Sequence, residues 1–238
     1  MTATPKIVSR EEWLDARRAL LAREKEHTRA RDALSAARRA LPWVRVDKRY
    51  VFHGAAGEET LADLFARRGQ LVVSHFMFDP SWDAGCKSCS FWADGYDGID
   101  VHLAYRDTSF VVVSRGPYEK LAAYQRRMGW RFKWVSSLAS DFNYDFQVSF
   151  TPEAVAEKRT AYNYGSFDAP GCEMPGISAF ARGPDGAVFH TYSCYGRGID
   201  AMNVAYQYLD ITAKGRDEGD DAMGWLRRHD EYAPAAPR

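Results

Sequence analysis

Two cysteines, Cys86 and Cys89, stand with Lys87 and Ser88 between them, and they are the residues of this chain best placed to do chemistry. Thiols at this spacing at the start of a helix lie side by side, so they can close a small disulfide or grip one metal ion. The apolar run Leu71 to Phe78 precedes them, then a loop containing Pro80 and Gly85, and a helix-compatible segment follows. The local order is therefore strand, turn, CxxC, helix. Cys86 would feel the unpaired N–H groups and the positive end of that helix, with the Lys87 cation beside it, and all of these favour the thiolate, the nucleophilic form.

Three chemistries fit. In the first, Cys86 attacks a disulfide or oxidised sulfur substrate and Cys89 resolves the mixed disulfide, which requires a thiol or disulfide substrate and an external reductant. In the second, Cys86 and Cys89 hold Zn or Cu, with His102 or His190 completing the sphere, since two thiolates and an imidazole suit those ions. The first chemistry needs no cofactor. In the third, the chain acts on a small molecule in a specialised pathway, with Trp82, Trp92, Trp130 and Tyr144 lining the pocket; the same aromatics serve equally as core.

Composition narrows the classes. With 46% hydrophobic residues in 238, the chain can bury a proper core. Lys plus Arg and Asp plus Glu are 32 each, so no general attraction to nucleic acid or anionic lipid follows. The opening MTATPKIVSR lacks an apolar signal region and no later run reaches membrane-spanning length, which reads as cytoplasmic with no membrane partner. Four cysteines in a chain of this size do not make a disulfide scaffold.

The remaining elements must position the CxxC. Residues 9–41 read as one long helix, opened by a Ser9/Glu12 capping box and closed by Pro42. Its basic residues are interleaved with Glu11, Glu12, Glu24, Glu26 and Asp32, so it reads as a solvated face that packs on the domain or on a second subunit to make a homo-oligomer. Trp43 to His53 reads as a strand, GAAGEE as a turn, and Thr60 to Arg68 as a short helix. His75, inside the central apolar strand, reads as a hydrogen-bonded core histidine. Helix is predicted to continue beyond Cys89 through Tyr96 to Arg106; SFVVVS at 109–114 is a buried strand, and Pro117 opens a helix that Gly129 stops. Trp130, Phe132 and Trp134 alternate with cations as a strand does, while the aromatic, turn-rich remainder of 130–173 reads as an insertion that covers the site. GISAFAR and AVFHTYSC flank a GPDG turn, and Ile199, Met202, Tyr206 and Leu209 line a closing helix before a polar tail at 213–238.

In sequence, the core is β, α with CxxC at its start, β, α, then a proline before an antiparallel pair and a last α. This order resembles the thioredoxin fold, in which that proline is cis and opposes the CxxC; Met174-Pro175 is the matching position. YVFHGAAGEETLADLF resembles the hairpin and short helix that precede the core in the peroxiredoxin-like branch. The phrases GCKSCSFWADGYDG, SDFNYDFQVSFTPE, EMPGISAF and HTYSCYGRGIDAMNVAYQYLDITAKGRDE resemble a thioredoxin-like family of unknown function, usually described as predicted dithiol-disulfide oxidoreductases, over nearly the whole chain. The resemblance implies an α/β thioredoxin-like fold, a central mixed sheet flanked by helices, over 43–212, with an N-terminal helical extension (1–42) and an insertion before the cis-Pro strand. It implies Cys86 and Cys89 as catalytic residues, and Met174 and Pro175 as backbone contacts for an extended substrate, beside Trp82, Lys87 and Trp92. Two departures stand out. Gly85 replaces the Trp that thioredoxins carry before the first cysteine, and the peroxiredoxin Pro, Thr/Ser, Cys spacing is missing because Ala84 lies four residues after Pro80. Cys172, two residues before Met174, is a possible third thiol, and Cys194 reads as a small buried hydrophobe.

Overall fold

The computed structural model describes residues 5–233, and the chain divides into two units, 1–42 and 43–238. The first unit is helix α1, Arg10–Arg39. The Ser9 hydroxyl accepts the Glu12 N–H (3.2 Å) and the Glu12 carboxylate accepts the Ser9 N–H (3.0 Å), which forms the expected capping box. None of its residues is buried, and Trp13, Leu20, Leu21 and Leu34 are exposed.

The second unit is built on an eight-stranded mixed sheet of order β1-β10-β9-β4-β5-β6-β2-β3. Its strands are β1 (Val44–Arg45), β2 (Val51–Gly54), β3 (Gly57–Thr60), β4 (Gln70–His75), β5 (Thr108–Ser114), β6 (Trp134–Ser136), β9 (Gly176–Arg182) and β10 (Val188–Tyr195). A separate two-stranded ribbon consists of β7 (Ala161–Tyr162) and β8 (Gly165–Ser166). β4, β5 and β6 run parallel, so each pair needs a crossover: α2 (Lys87–Ala93) and α3 (Ile99–Tyr105) between β4 and β5, and α4 (Tyr118–Met128) between β5 and β6. β9 joins β4 antiparallel with Val73 opposite Ser178, and β10 folds back on β9. After β6 come the short helices α5 (Phe142–Asp145) and α6 (Pro152–Ala156), and α7 (Val204–Leu209) follows β10. This is the thioredoxin-like arrangement of a mixed central sheet flanked by helices.

The apolar residues of the sheet bury two large clusters. Phe76, Phe78, Trp92, Tyr124, Trp130 and Trp134 gather with α2 and α4, whereas Phe52, Leu64, Phe65, Phe142, Phe146 and Phe180 gather with the β2–β3 hairpin and α5. Each fully buried Phe contributes about 1.5–3 kcal/mol. Trp130, Phe132 and Trp134 are all buried while Arg131 and Lys133 face water, the expected alternation, although only the end of that run pairs as strand β6.

Several expectations are corrected. The strand expected over 43–53 is broken between Arg45 and Val51, and the helix expected over 60–68 is a single 3-10 turn, Asp63–Phe65. The helix after Cys89 stops at Ala93 and restarts at Ile99, because Gly98 takes φ +90°, outside the helical region. Gly129 stops α4 with φ +67°, as predicted. The Met174–Pro175 bond is trans, not cis. The polar tail expected over 213–238 includes, within its described residues, a fully buried Leu226, and Arg228 reaches the CxxC loop.

Candidate active site

The β4 strand delivers the chain to Met77, and Met77 clasps the cysteine pair from both sides. Its carbonyl accepts the Cys86 N–H (3.1 Å), and its own N–H points at the Cys89 sulfur (3.4 Å). The loop between is stapled by Lys120, whose Nζ donates to the Pro80 and Trp82 carbonyls at 3.0 Å each. Gly85 is required here by close approach: a Cβ would come within 2.6 Å of the Phe76 ring and 2.8 Å of Tyr124. The Arg228 guanidinium donates to the Gly85 carbonyl (2.8 Å) and to the Tyr124 hydroxyl (2.9 Å), so the C-terminal segment anchors the residue directly before Cys86.

Cys86 is the N-cap of α2 and half-buried, Cys89 is buried in its first turn, and none of the four cysteines is in a disulfide. A hydrogen bond donated by the Cys89 thiol is the main influence that lowers the Cys86 pKa, to about 6; burial opposes it, and the Cys89 and Ser88 N–H groups add to it. No full cap hydrogen bond forms, so these N–H groups act as near dipoles on the sulfur. Cys89 is pushed well up, first because it donates to Cys86, then by burial and by the Cys86 charge, with Glu173 adding to the effect. Lys87 is exposed and is not among the main sources of the Cys86 shift.

Glu173 is a functional candidate that sequence reasoning passed over. Its side chain is only 1% exposed; Arg115 Nη1 donates to Oε1 (3.0 Å) and the Ser149 hydroxyl to Oε2 (2.9 Å). Burial raises its pKa to about 7 against the pull of Arg115 and Ser149. The neighbouring Cys172 is half-buried and its thiol pKa is raised, first by burial and then by the Asp79 and Glu173 charges, which leaves it a poorer nucleophile than Cys86. Cys194 is buried, as expected.

A cavity of about 310 Å³ opens beside Cys89, walled by Phe76, Trp92, Ile177, Ile199 and Met223, with Pro175 also on its lining. The structure therefore brings together Cys89, Pro175 and Trp92 from the predicted set. The Trp92 indole N–H donates to the Ile199 carbonyl (3.1 Å). Trp82 stays on the loop at 36% exposure, and Met174 packs with Val148, Tyr162 and Tyr195. Trp130 donates to Asp94 (2.9 Å) in the aromatic core, and Tyr144 lies under the Arg115 guanidinium at 4.7 Å. Neither belongs to the cavity wall.

The proposed metal ligands do not converge. His102 is exposed on α3, and His190 turns to the opposite cluster, bonded to the Ser193 hydroxyl (2.8 Å) with its ring against Phe146. Among the described residues no group of three or more His, Cys, Asp or Glu side chains could hold a metal ion. The residues present thus do not fit a Zn or Cu site built on Cys86, Cys89 and these histidines. No helix of the described residues is long and apolar enough to cross a membrane.

Among solved structures, the chain is similar to the peroxidoxin BcpB from Mycobacterium tuberculosis at 14% identity, covering 71% of this chain and 97% of that one with a TM-score of 0.46. It is similar to peroxiredoxin Q from Xanthomonas campestris at 13% identity, over 66% and 89% of the two chains, TM-score 0.44. A putative thiol:disulfide interchange protein DsbE from Chlorobium tepidum is similar at 10% identity over 69% and 97%, TM-score 0.42. No curated protein sequence matches. The profile of one family, described as bacterial protein of unknown function (DUF899), spans residues 2–232, and the chain belongs to that family.

Proposed function

We propose that this protein is a thiol–disulfide oxidoreductase in which Cys86 is the nucleophile and Cys89 the resolving thiol. The observation that carries this reading is the opposed setting of the two thiols: a half-buried Cys86 drawn towards thiolate by the buried Cys89 that donates to it. One thiol is ready to attack at neutral pH while the other keeps its proton until the mixed disulfide has formed.

In the forward step, the Cys86 thiolate bonds to one sulfur of a disulfide R–S–S–R, the S–S bond breaks, and RS⁻ leaves and takes up a proton. Cys89 then loses its proton and attacks the Cys86 sulfur, and the second RS⁻ departs. The substrate gains two electrons and the enzyme ends as the Cys86–Cys89 disulfide, which an external dithiol reduces. Glu173, whose charge acts on Cys89 and whose pKa is near 7, is suited to take up the Cys89 proton.

The test is a thiol titration in graded dithiothreitol redox buffers, with metal analysis on protein purified without chelator. Two thiols should disappear together at one potential in metal-free protein, and Cys86→Ser should slow disulfide consumption by at least about 10³-fold. Stoichiometric zinc or copper that protects both thiols, or consumption unchanged in Cys86→Ser, would overturn the reading.

A further inference from the structure

Next to the thiols, the edge at Pro175 where an extended peptide would add is already filled by this chain. The Met174 N–H donates to the Val148 carbonyl (2.9 Å) and the Phe150 N–H to the Cys172 carbonyl (2.9 Å), so 148–150 pair with 172–174 as a short antiparallel bridge at Ser149 and Glu173. Pro175 has no N–H to offer. Its carbonyl accepts the Tyr162 hydroxyl (2.5 Å), which itself accepts the Gly196 N–H (2.7 Å). Gly176 continues directly into β9, paired with His75 on one side and Tyr195 on the other. A polypeptide substrate would find these positions occupied, and strand addition depends on free backbone groups. The Met174 N–H and the Pro175 carbonyl, which were expected to serve an extended segment, are thus already engaged within the chain.

What remains open beside Cys89 is the 310 Å³ cavity, and its walls offer a ligand little hydrogen bonding. The Trp92 N–H is held by Ile199, and the Ser74 and Tyr96 hydroxyls hold each other at 3.0 Å. At the lining, Arg197 pairs with Asp200 (3.3 Å), and Asp200 also meets Arg216 (2.9 Å), which Asp210 holds in turn (2.8 Å), so two carboxylates balance two guanidiniums and no net charge calls for an ionic substrate. An apolar cavity of about 150 Å³ accepts benzene, so this one has room for about two rings.

From this geometry we infer that the substrate is a low-molecular-weight disulfide with uncharged, apolar substituents, one of which enters the cavity against Trp92 while its sulfur meets the cysteine pair. The inference rests on the oxidoreductase reading and specifies its substrate class. The exchange is the one written above: two electrons pass from the Cys86–Cys89 dithiol, two apolar thiols leave, and an external dithiol restores the enzyme.

The experiment measures oxidation of the pre-reduced full-length protein by 4,4′-dithiodipyridine, 2-hydroxyethyl disulfide, oxidised glutathione and a disulfide-linked peptide. Each rate is divided by that of free dithiothreitol with the same disulfide, which removes intrinsic reactivity. The aromatic disulfide should lead oxidised glutathione and the peptide by about 10-fold or more, the scale on which an apolar pocket discriminates. Filling the cavity with Ile199→Trp should reduce the ratio of the aromatic to the 2-hydroxyethyl rate by about 10-fold. Met223→Trp is the second variant, should the first fail to fold. Diphenyl sulfide, which has no S–S bond to exchange, should inhibit the aromatic reaction competitively. Equal normalised rates, a peptide that reacts fastest, or both filled variants slowing every disulfide alike would overturn the cavity assignment. Failure of all four disulfides to oxidise the pair would instead overturn the oxidoreductase reading, and the two failures are distinct.

Discussion

The two layers packed on the central sheet both bury polar, titratable groups, and they treat them in opposite ways. Under the β2–β3 hairpin and α5, His75 Nε2 bonds Ser178 Oγ, Ser178 bonds Ser193, and Ser193 bonds His190 Nε2, each at 2.8 Å. Both imidazoles are held neutral: burial is the main cause for each, and the nearby His190 adds to the lowering at His75. The His75 ring stacks on Phe142 and Phe146 at 5.5 and 6.0 Å, on the face of β4 opposite Phe76. On the α2 side, Cys86 is shifted down while Cys89 and Glu173 are shifted up, and a cavity gives access to Cys89. Burial that silences a group marks structure. Burial that drives neighbouring groups apart, beside a cavity, marks chemistry.

The contrast can be broken first at Glu173. Glu173→Gln keeps an acceptor for Arg115 but removes the proton acceptor, so in single turnover the release of the first thiol should be unchanged and the second slowed about 10- to 100-fold. In the wild type the second phase should rise with pH through about 7, where Glu173 ionises, and in the variant that limb should vanish. If both phases match the wild type, Glu173 belongs with the quiet groups of the opposite layer.

The next effect is at the thiol pair. Because the hydrogen bond from Cys89 is the largest influence on Cys86, Cys89→Ala should move the Cys86 pKa up towards the ordinary thiol range. Alkylation by iodoacetamide at pH 7 should then slow by about 10-fold, as the thiolate fraction falls. A pKa unmoved by the substitution would assign the shift to the helix terminus alone.

The parts of this molecule that were legible in the sequence share a local signal. SFVVVS and GISAFAR are continuous apolar runs bounded by turns, and they became the buried strands β5 and β9; Ser9 and Glu12 mark the helix start. Cys86 and Cys89 are legible because chemistry at a helix start needs that spacing. Glu173 carries no such signal, since its burial is set by Ser149 and Arg115, 24 and 58 residues away in sequence. The same holds for Leu226 and Arg228, which lie in the polar stretch DDAMGWLRRHDEY: Leu226 is fully buried, and Arg228 acquires its role only through Gly85 and Tyr124. The occupied edge at Pro175 was also hidden, because Val148 and Tyr162 reach it from a segment with no clear periodicity.

The smallest expected effect tests the silent layer. His75 is fully buried with its pKa lowered to about 3, while the unfolded chain would titrate it near 6.5. Between these values the unfolded state binds a proton that the folded state refuses, so the stability from neutral His75 is whole above pH 6.5 and is lost as pH falls from there towards 3. The full slope is about 1.4 kcal/mol per pH unit. Urea unfolding at pH 7 and pH 5 should therefore show a loss that shrinks in His75→Phe, because a phenyl ring keeps the stacking on Phe142 and Phe146 and leaves Ser178 bonded to Ser193. Among the described residues the Nδ1 atom of His75 has no hydrogen-bond partner, so the substitution also removes an unsatisfied buried group, which limits its cost at pH 7. Thiol reactivity at Cys86 should not change in this variant, because the His75 ring is stacked on Phe142 and Phe146 in the other layer. A variant with the wild-type pH slope, or with altered Cys86 alkylation, would mean that the two layers are coupled through β4 and that the His75–His190 chain takes part in the chemistry.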